Sequence, residues 1–281
     1  MAGVGYLGPR GTFTQEALEA SFPGVFSEEV PFPTVPEVLG AVQTGRLDAG
    51  LVPIENSIEG AVNVTVDTLA FETDLVIEAE VIRPVRHCLL ARPGVTREQV
   101  TAIVSHPQAT AQCRGFLARW FSGVPVIAAN STAEAAMAVA GSTEPEAAIG
   151  TALAGEIYGL ETLDCELEDY AANATRFVLV GKRKAAPTGR DKTSIVCFIR
   201  ENRPGSLLEI LQVFASRGIN LTKIESRPTK KVLGEYYFFI DIEGHIEDPE
   251  VAAAIGSLVG SLRELKLLGS YPAAEINPSS D

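Results

Sequence analysis

Up to residue 180 the chain alternates short apolar runs with segments of helical period. The runs at 4–7, 49–53, 101–105, 124–128 and 147–150 are brief and nearly continuous and read as strands. Ser/Thr-x-x-Glu/Gln capping boxes announce helix starts at Thr12/Gln15, Thr34/Glu37, Ser131/Glu134 and Ser206/Glu209. Strands alternating with helices predict α/β layers with mostly parallel pairing. The run 76–90 has the length of a strand crossing between two lobes, and its charges (Glu78, Glu80, Arg83, Arg86) give it an exposed face. A two-lobed α/β unit with a cleft is the expected architecture.

The composition then changes. Lys182-Arg-Lys-Ala-Ala-Pro-Thr-Gly-Arg190 reads as a linker. Beyond it the order is strand 193–200, a helix opened by Ser206 and closed by Gly218, strands 219–226 and 235–243, a helix from Asp248-Pro249 to about Leu262, and strand 265–271. That is the βαββαβ arrangement of a split βαβ unit. The end, Asn277-Pro-Ser-Ser-Asp281, reads as a frayed tail.

Composition narrows the function. The chain has 281 residues, enough for two domains, with 46% hydrophobic and 21% charged residues and a net charge of −13. Such a balance argues against nucleic-acid binding, which needs a basic face. An anionic substrate has to be met by local charge. No apolar run reaches the length of a membrane span, and the N-terminal residues lack the pattern of a signal peptide, so a cytoplasmic protein is expected. Cys88, Cys113, Cys165 and Cys197 are scattered without a C-x-x-C pair and read as free thiols. His87, His106 and His245 are equally scattered, which suggests no metal site.

Several polar clusters sit where strands end, the place where open α/β sheets hold ligands. Gly8-Pro-Arg-Gly-Thr-Phe-Thr14 opens a helix, where free N–H groups favour an anion and Gly8 and Gly11 permit close backbone approach. Its glycines do not match a nucleotide-binding pattern. Pro53-Ile-Glu-Asn-Ser-Ile-Glu-Gly60 offers Asn56 and Ser57 as hydrogen-bonding groups and Glu55 and Glu59 as acids. In Ser105-His-Pro-Gln-Ala-Thr-Ala-Gln-Cys113, Gln108 and Gln112 share a helix face. His106 reads as a structural or capping residue, because adjacent residues seldom face each other as a Ser–His nucleophile pair would require. Ser131 and Glu134 are explained by their cap, while Thr132 is a spare donor. Asn173-Ala-Thr-Arg-Phe177 puts a hydroxyl beside a guanidinium at a strand mouth, a combination able to hold a carboxylate. Taken alone it reads first as a strand start with one exposed arginine.

Taken in order, these motifs resemble those of prephenate dehydratases. The tail, with Asn202-Arg-Pro-Gly-Ser-Leu207 and Glu225-Ser-Arg-Pro228, resembles the ACT regulatory domain that accompanies that enzyme. The resemblance covers nearly the whole chain. It implies a catalytic domain at 1–183 of periplasmic-binding-protein type 2 fold (second lobe about 80–170), a linker at 184–192, a ferredoxin-like ACT domain at 193–273 and a tail at 274–281. It implies conversion of prephenate to phenylpyruvate, water and carbon dioxide in phenylalanine biosynthesis, without a cofactor. It carries catalytic roles onto Thr175, Asn56, Ser105 and Gln112, and substrate-binding roles onto Arg176, Ser57, Thr12 and Phe177. It places an allosteric L-phenylalanine site, between ACT domains of two subunits, at Gly205, Ser206, Leu207, Glu225, Ser226, Arg227 and Pro228, and so implies a homodimer or homotetramer. The family more often has Gly-Ala-Leu where this chain has Gly205-Ser-Leu207, which puts a hydroxyl near the effector.

The reaction sets the roles. The departing 4-hydroxyl needs a donor, for which Thr175 is the expected residue, within a relay rather than as an isolated acid; Glu55 and Glu59 are the neighbouring carboxyl groups. The surviving pyruvyl carboxylate suits an Arg176 clamp. The ring carboxylate leaves as carbon dioxide, so neutral donors such as Asn56, Ser105 and Gln112 suit it better than an ion pair, which would favour the ground state. Two other readings stand beside this one: an arogenate dehydratase with the same fold, and a non-enzymatic amino-acid-binding sensor.

Overall fold

The computed structural model describes residues 2–230 and 232–274. Of the expected tail, 275–281 lies outside the described residues. The chain begins β1 (Gly3–Leu7), α1 (Phe13–Ser21), β2 (Glu28–Phe32), α2 (Val35–Gln43), β3 (Ala49–Asn56), β4 (Gly60–Ala61), α3 (Asn63–Phe71) and β5 (Val76–Pro84). It continues with β6 (Cys88–Ala91), β7 (Ala102–Ser105), α4 (Pro107–Gln112), α5 (Arg114–Trp120), β8 (Val126–Ala128), α6 (Thr132–Gly141), β9 (Glu146–Gly150), α7 (Ala152–Tyr158), β10 (Glu161–Asp164) and β11 (Ala174–Gly181). Last come β12 (Asp191–Phe198), α8 (Ser206–Ala215), β13 (Leu221–Pro228), β14 (Tyr236–Glu243), α9 (Pro249–Ser261) and β15 (Glu264–Pro272).

The strands form three sheets. The first has the order β2-β1-β3-β11-β5, with β4 beside β3; the second is β10-β6-β9-β7-β8; the third is β13-β14-β12-β15. Two compact units are distinguished. One holds the residues up to Val38 with Leu51–Gly60 and Ile82–Phe177; the other holds Leu39–Gly50, Ala61–Val81 and the residues from Val178 onward.

In the first unit the capping boxes do most of what the sequence announced. Thr12 and Ser131 accept from Gln15 N and Glu134 N at the starts of α1 and α6. His106 caps α4, with Pro107 as its first residue. The second sheet is mixed rather than mostly parallel: β6 runs antiparallel to β9 and β10, while β7 is parallel to β8 and β9. Both faces of its inner strands are covered, while β8 at the edge is exposed along its length. Leu89, Ala91, Ile103 and Ile149 pack with Ala109, Cys113 and Phe121, whereas Cys88, Leu90, Val104 and Ala148 pack with Ala135, Ala136 and Val139. That double burial is why these strands read as continuous apolar runs.

The run 76–90 is two strands in different sheets, not one. Val85 N donates to Asn173 O and His87 N to a Glu168 carboxylate oxygen, which takes 85–87 out of the ladder. A second departure concerns the cysteines: Cys88 and Cys165 form a disulfide across 77 positions, and Cys113 and Cys197 are the buried free thiols. Sequence spacing carries no trace of a contact between residues so far apart.

In the second unit the third sheet is wholly antiparallel. Ile195, Cys197, Phe238, Ile240 and Ile242 on one face pack with Ile210 and Phe214 of α8 and Val251, Ala254 and Leu258 of α9. On the other face Phe71, the last residue of α3, stacks at 5.6 Å from Phe198 and 5.2 Å from Tyr237. Polar contacts follow the same side: Lys192 Nζ donates to Glu80 Oε1 at 2.7 Å, and Lys266 Nζ to the carbonyls of Ala70 and Thr73. The expected capping box at Ser206 does not form. Gly205, at φ 95°, is the N-cap of α8, and Ser206 Oγ donates to Glu201 O instead.

Candidate active site

The end of β3 meets the start of β11. Ser57 N donates to Ala174 O at 2.9 Å, and Ala174 N donates to Ser57 Oγ at 2.9 Å, so the junction is pinned from both sides. Ser57 is thereby a strut between the strands, with its hydroxyl also 3.4 Å from Ala172 O.

Asn56 is fixed by its own turn. Its Oδ1 accepts from Ile58 N and Glu59 N, both at 3.0 Å. Backbone N–H groups can only donate, so the oxygen end of this amide is settled and Nδ2 faces the other way. Nδ2 donates to Asn173 Oδ1 at 2.9 Å, Thr175 Oγ1 at 2.9 Å and Ala174 O at 3.2 Å. Asn173 must then turn its nitrogen onward, and Nδ2 donates to Gln112 Oε1 at 2.9 Å. Gln112 Oε1 is an acceptor for the same reason, so His87 Nε2, 3.0 Å away, carries its proton. Two backbone N–H groups thus set the polarity of a side-chain chain that runs Asn56, Asn173, Gln112, His87.

Its two ends matter chemically. Thr175 Oγ1 receives a hydrogen bond from Asn56, and Thr175 donates to no protein group among the described residues. Its hydroxyl proton is thus available outward. Gln112 uses only its oxygen, which leaves its NH₂ as a second outward donor. Asn173 and Gln112 are 1% and 9% exposed, so the inner part of the network is dry and its geometry constrained, while Asn56 and Thr175 are half-buried. His87 is buried, and desolvation holds its pKa below the ordinary histidine value despite the Gln112 hydrogen bond and nearby Glu168.

Arg176 lies beside this network. It is buried, and its Nη1 is 3.6 Å from Glu55 Oε2. Alternation along β3 and β11 sends Asn56 and Thr175 to one side and Glu55 and Arg176 to the other.

The structure brings Asn56, Gln112 and Thr175 together through Asn173. It does not add Ser105, Thr12 or Phe177 to that network. Ser105 is buried and donates to Ile149 O at 2.7 Å, which ties β7 to β9. Thr12 donates to Leu7 O at 2.8 Å and caps α1. Phe177 is 2% exposed and belongs to the core. Gly11, expected to let a ligand approach, instead lets α7 approach: a Cβ at its φ of 84° would lie 3.0 Å from Ala154. Thr151 Oγ1 donates to Gly11 O at 2.7 Å across the same contact.

The residues expected at the effector site divide similarly. Gly205 and Ser206 open α8, and Leu207 packs against the domain core. On β13, Glu225 is half-buried and Ser226 and Pro228 are exposed. The Arg227 guanidinium is committed to α3: Nε donates to Asp67 Oδ1 at 2.7 Å, Nη2 to Asp67 Oδ2 at 2.9 Å, and Nη1 to Asn63 Oδ1.

His87 and Asn173 were not among the expected site residues. Asn173 heads the Asn173–Phe177 stretch, and the β3–β11 pairing reveals its use. His87 carried no signal beyond a lone histidine before a strand.

Comparison with known proteins adds the family. Residues 4–185 match the model "Prephenate dehydratase" and residues 193–260 the model "ACT domain". A prephenate dehydratase of Amycolatopsis methanolica is 42% identical over 98% of this chain and 90% of its own. The solved prephenate dehydratase of Arthrobacter aurescens, in complex with L-Phe, is 40% identical, with a TM-score of 0.91 over 99% of this chain and 92% of its own. Another solved structure, described as GqqA, a quorum quenching acylase, is 32% identical, with a TM-score of 0.87 over 96% and 98% of the two chains.

Proposed function

The chain belongs to the prephenate dehydratase family and carries a C-terminal ACT domain, and we propose that it converts prephenate to phenylpyruvate, carbon dioxide and water under feedback control by L-phenylalanine. The catalytic domain is an α/β unit whose strands fall in two sheets. We assign it to 1–183, the linker to 184–192 and the ACT domain to 193–273; the family matches support this division.

The observation that carries the mechanism is the polarity at Thr175. A threonine hydroxyl is a poor acid, but one whose oxygen already accepts a hydrogen bond is an oriented donor. In the reaction the bond from the ring to its carboxylate breaks, and its electron pair moves through the ring. The bond to the 4-oxygen breaks, and that oxygen leaves with a proton from solvent as water. Thr175 O–H donates to that oxygen as negative charge grows on it. A donor aimed at developing charge in a dry site lowers the barrier. The Gln112 NH₂ faces the carboxylate that becomes carbon dioxide; a neutral donor there does not over-stabilise the ground state. Arg176 is the candidate cation for the surviving carboxylate; it lies on the side of β11 opposite Thr175, against Glu55, so it serves only where that carboxylate draws it away from Glu55. Asn56 orients Thr175, and Ser105 holds the strand that leads to Gln112.

For regulation, the solved relative in complex with L-Phe supports the same ligand here. We place the site at Gly205, Ser206, Leu207, Glu225, Ser226 and Pro228, with Arg227 linking β13 to α3, and we assign a homodimer or homotetramer joined through ACT domains. We place the enzyme in the cytoplasm; no described helix is long and apolar enough to cross a membrane. The acylase described for the other relative finds no support in the site. Ser105 donates to Ile149 O and His106 caps α4, so they form no nucleophile–base pair.

The test is turnover of purified protein on prephenate and arogenate in parallel, with and without L-phenylalanine. Phenylpyruvate formed from prephenate, and less of it as phenylalanine is added, is the expected result. Turnover of arogenate alone changes the substrate and keeps the chemistry. Tight phenylalanine binding with no turnover of either would make the protein a sensor.

A further inference from the structure

We propose that His87 is a positioning residue for this reaction: its Nε2–H locks the Gln112 carboxamide so that the Gln112 NH₂ faces the substrate. The inference rests on the dehydratase reading of the site and deepens it.

Three observations meet at His87. First, the chain of amides leaves its Nε2 only one role, that of donor to Gln112 Oε1 at 3.0 Å. Second, its Nδ1 is buried and has no hydrogen-bond partner among the described residues. A bare buried acceptor costs stability, and an apolar ring of similar size would avoid that cost. The fold keeps a histidine where only one of its nitrogens is used, and that nitrogen points at the site. Third, the ring is held. Phe13 of α1 meets it edge-on with centroids 5.3 Å apart, and its backbone N donates to Glu168 Oε2 at 3.0 Å. Glu168 is itself held by Arg86 Nη1 at 2.9 Å. The ring therefore cannot swing to offer Nδ1 instead without breaking its packing.

Without this donor, Gln112 Oε1 keeps only the Asn173 contact. With one anchor instead of two, the carboxamide can tilt about its last side-chain torsion, and its NH₂ no longer stays aimed at the substrate carboxylate. The charged groups around the ring are Glu168 and its partner Arg86; Phe13, Gln112 and Asn173 bring no charge. Burial favours neutral imidazole, so the Nε2–H tautomer persists at neutral pH.

The experiment uses the full-length enzyme, with His87→Phe, His87→Gln, Gln112→Ala and the double variant His87→Phe/Gln112→Ala compared in steady-state kinetics on prephenate. A direct donor to developing charge is worth about 10²–10³-fold in kcat, and a residue acting through one is expected to cost about tenfold. His87→Phe should lower kcat by that factor with little change in KM. His87→Gln, whose Nε2 falls near the imidazole Nε2, should restore most of it. The double variant should be no slower than Gln112→Ala. Wild-type kcat in His87→Phe, no rescue by glutamine, or additive losses would each overturn the proposal. Should the variants fail to fold, ¹⁵N NMR of the wild-type imidazole decides. Protonated Nε2 with bare Nδ1 between pH 6 and 8 is required, and the opposite tautomer overturns the assignment. Wild-type turnover on prephenate is the control that tests the dehydratase reading separately.

Discussion

Arg227 on β13 grips Asp67 on α3 through two hydrogen bonds, Nε to Oδ1 at 2.7 Å and Nη2 to Oδ2 at 2.9 Å. Tyr237 OH donates to the same Oδ1 at 2.6 Å, and both charged side chains are buried. A planar fork on a carboxylate is a geometry that lysine does not reproduce. Removing one partner of a buried pair typically costs about 3–5 kcal/mol, and the lower end applies here because Lys230 Nζ and Tyr237 OH remain on Asp67. Arg227→Met is therefore expected to lower the urea midpoint by an amount equivalent to about 3 kcal/mol. Because Arg227 stands between Ser226 and Pro228, the phenylalanine concentration for half-inhibition should move as well. An unchanged midpoint would show that the pair contributes nothing.

The same carboxylate sets an acid limit. Burial alone would raise the Asp67 pKa, but hydrogen bonds from Arg227, Lys230 and Tyr237 outweigh it and hold the group at about 2, against 3.8 unperturbed. The unfolded chain binds this proton first as pH falls, so the stabilisation is complete above about pH 4 and lost between there and about pH 2. His87 acts at higher pH with the same sign. Its folded pKa is depressed by burial, so the stability it contributes is present above about pH 6.5 and declines as pH falls. Urea unfolding across pH 3–8 should show both declines, and His87→Gln should remove only the upper one.

How much of this was legible beforehand depends on the kind of signal. The βαββαβ order was readable because each element carried its own punctuation, such as Asp248-Pro249 before α9 and the alternation of β14. Asn56, Gln112 and Thr175 stood out because polar groups interrupted apolar runs at strand ends. Asn173 and His87 did not, since their roles exist only once β3, β11 and α4 converge. Ser206 misled because a capping box is a local pattern, while Gly205 at positive φ takes the cap position. For Arg227 the motif gives its neighbours but not the direction of its side chain, which the structure turns to Asp67.

The Cys88–Cys165 bridge lies outside any local pattern and makes a simple count. Denatured protein should show two reactive thiols, from Cys113 and Cys197, rising to four after reduction. Both remaining thiols are buried, and burial pushes each to about 12, so the native protein should react slowly. Closing a loop of this size typically stabilises by about 2–4 kcal/mol. Cys88→Ser/Cys165→Ser is expected to lose that much in urea. Four thiols without reductant would show that the bridge is absent in solution.

Arg176 and Glu55, 3.6 Å apart, predict a kinetic signature. If the substrate carboxylate takes Arg176 from Glu55, Arg176→Lys removes the planar fork and KM should rise by about tenfold or more, with a smaller fall in kcat. Glu55→Gln removes the competitor, and its KM should not rise. If instead Arg176→Lys leaves KM unchanged and lowers only the melting temperature, the pair is structural and the carboxylate is held elsewhere.

The polarity that Asn56 imposes on Thr175 gives the sharpest test of the chemistry. Thr175→Val keeps the shape of the side chain and removes the donor, so kcat should fall by about 10²-fold or more. Thr175→Ser keeps a hydroxyl at the same place and should retain most activity. Asn56→Leu leaves Thr175 intact but frees its hydroxyl to donate into the protein, for example to Ala174 O, which Asn56 now serves. Its kcat should therefore approach that of Thr175→Val, and the double variant should be little worse than either, because both remove one oriented donor. Independent, multiplying losses would mean that Asn56 acts on the substrate directly and that the orientation of Thr175 is set by something else.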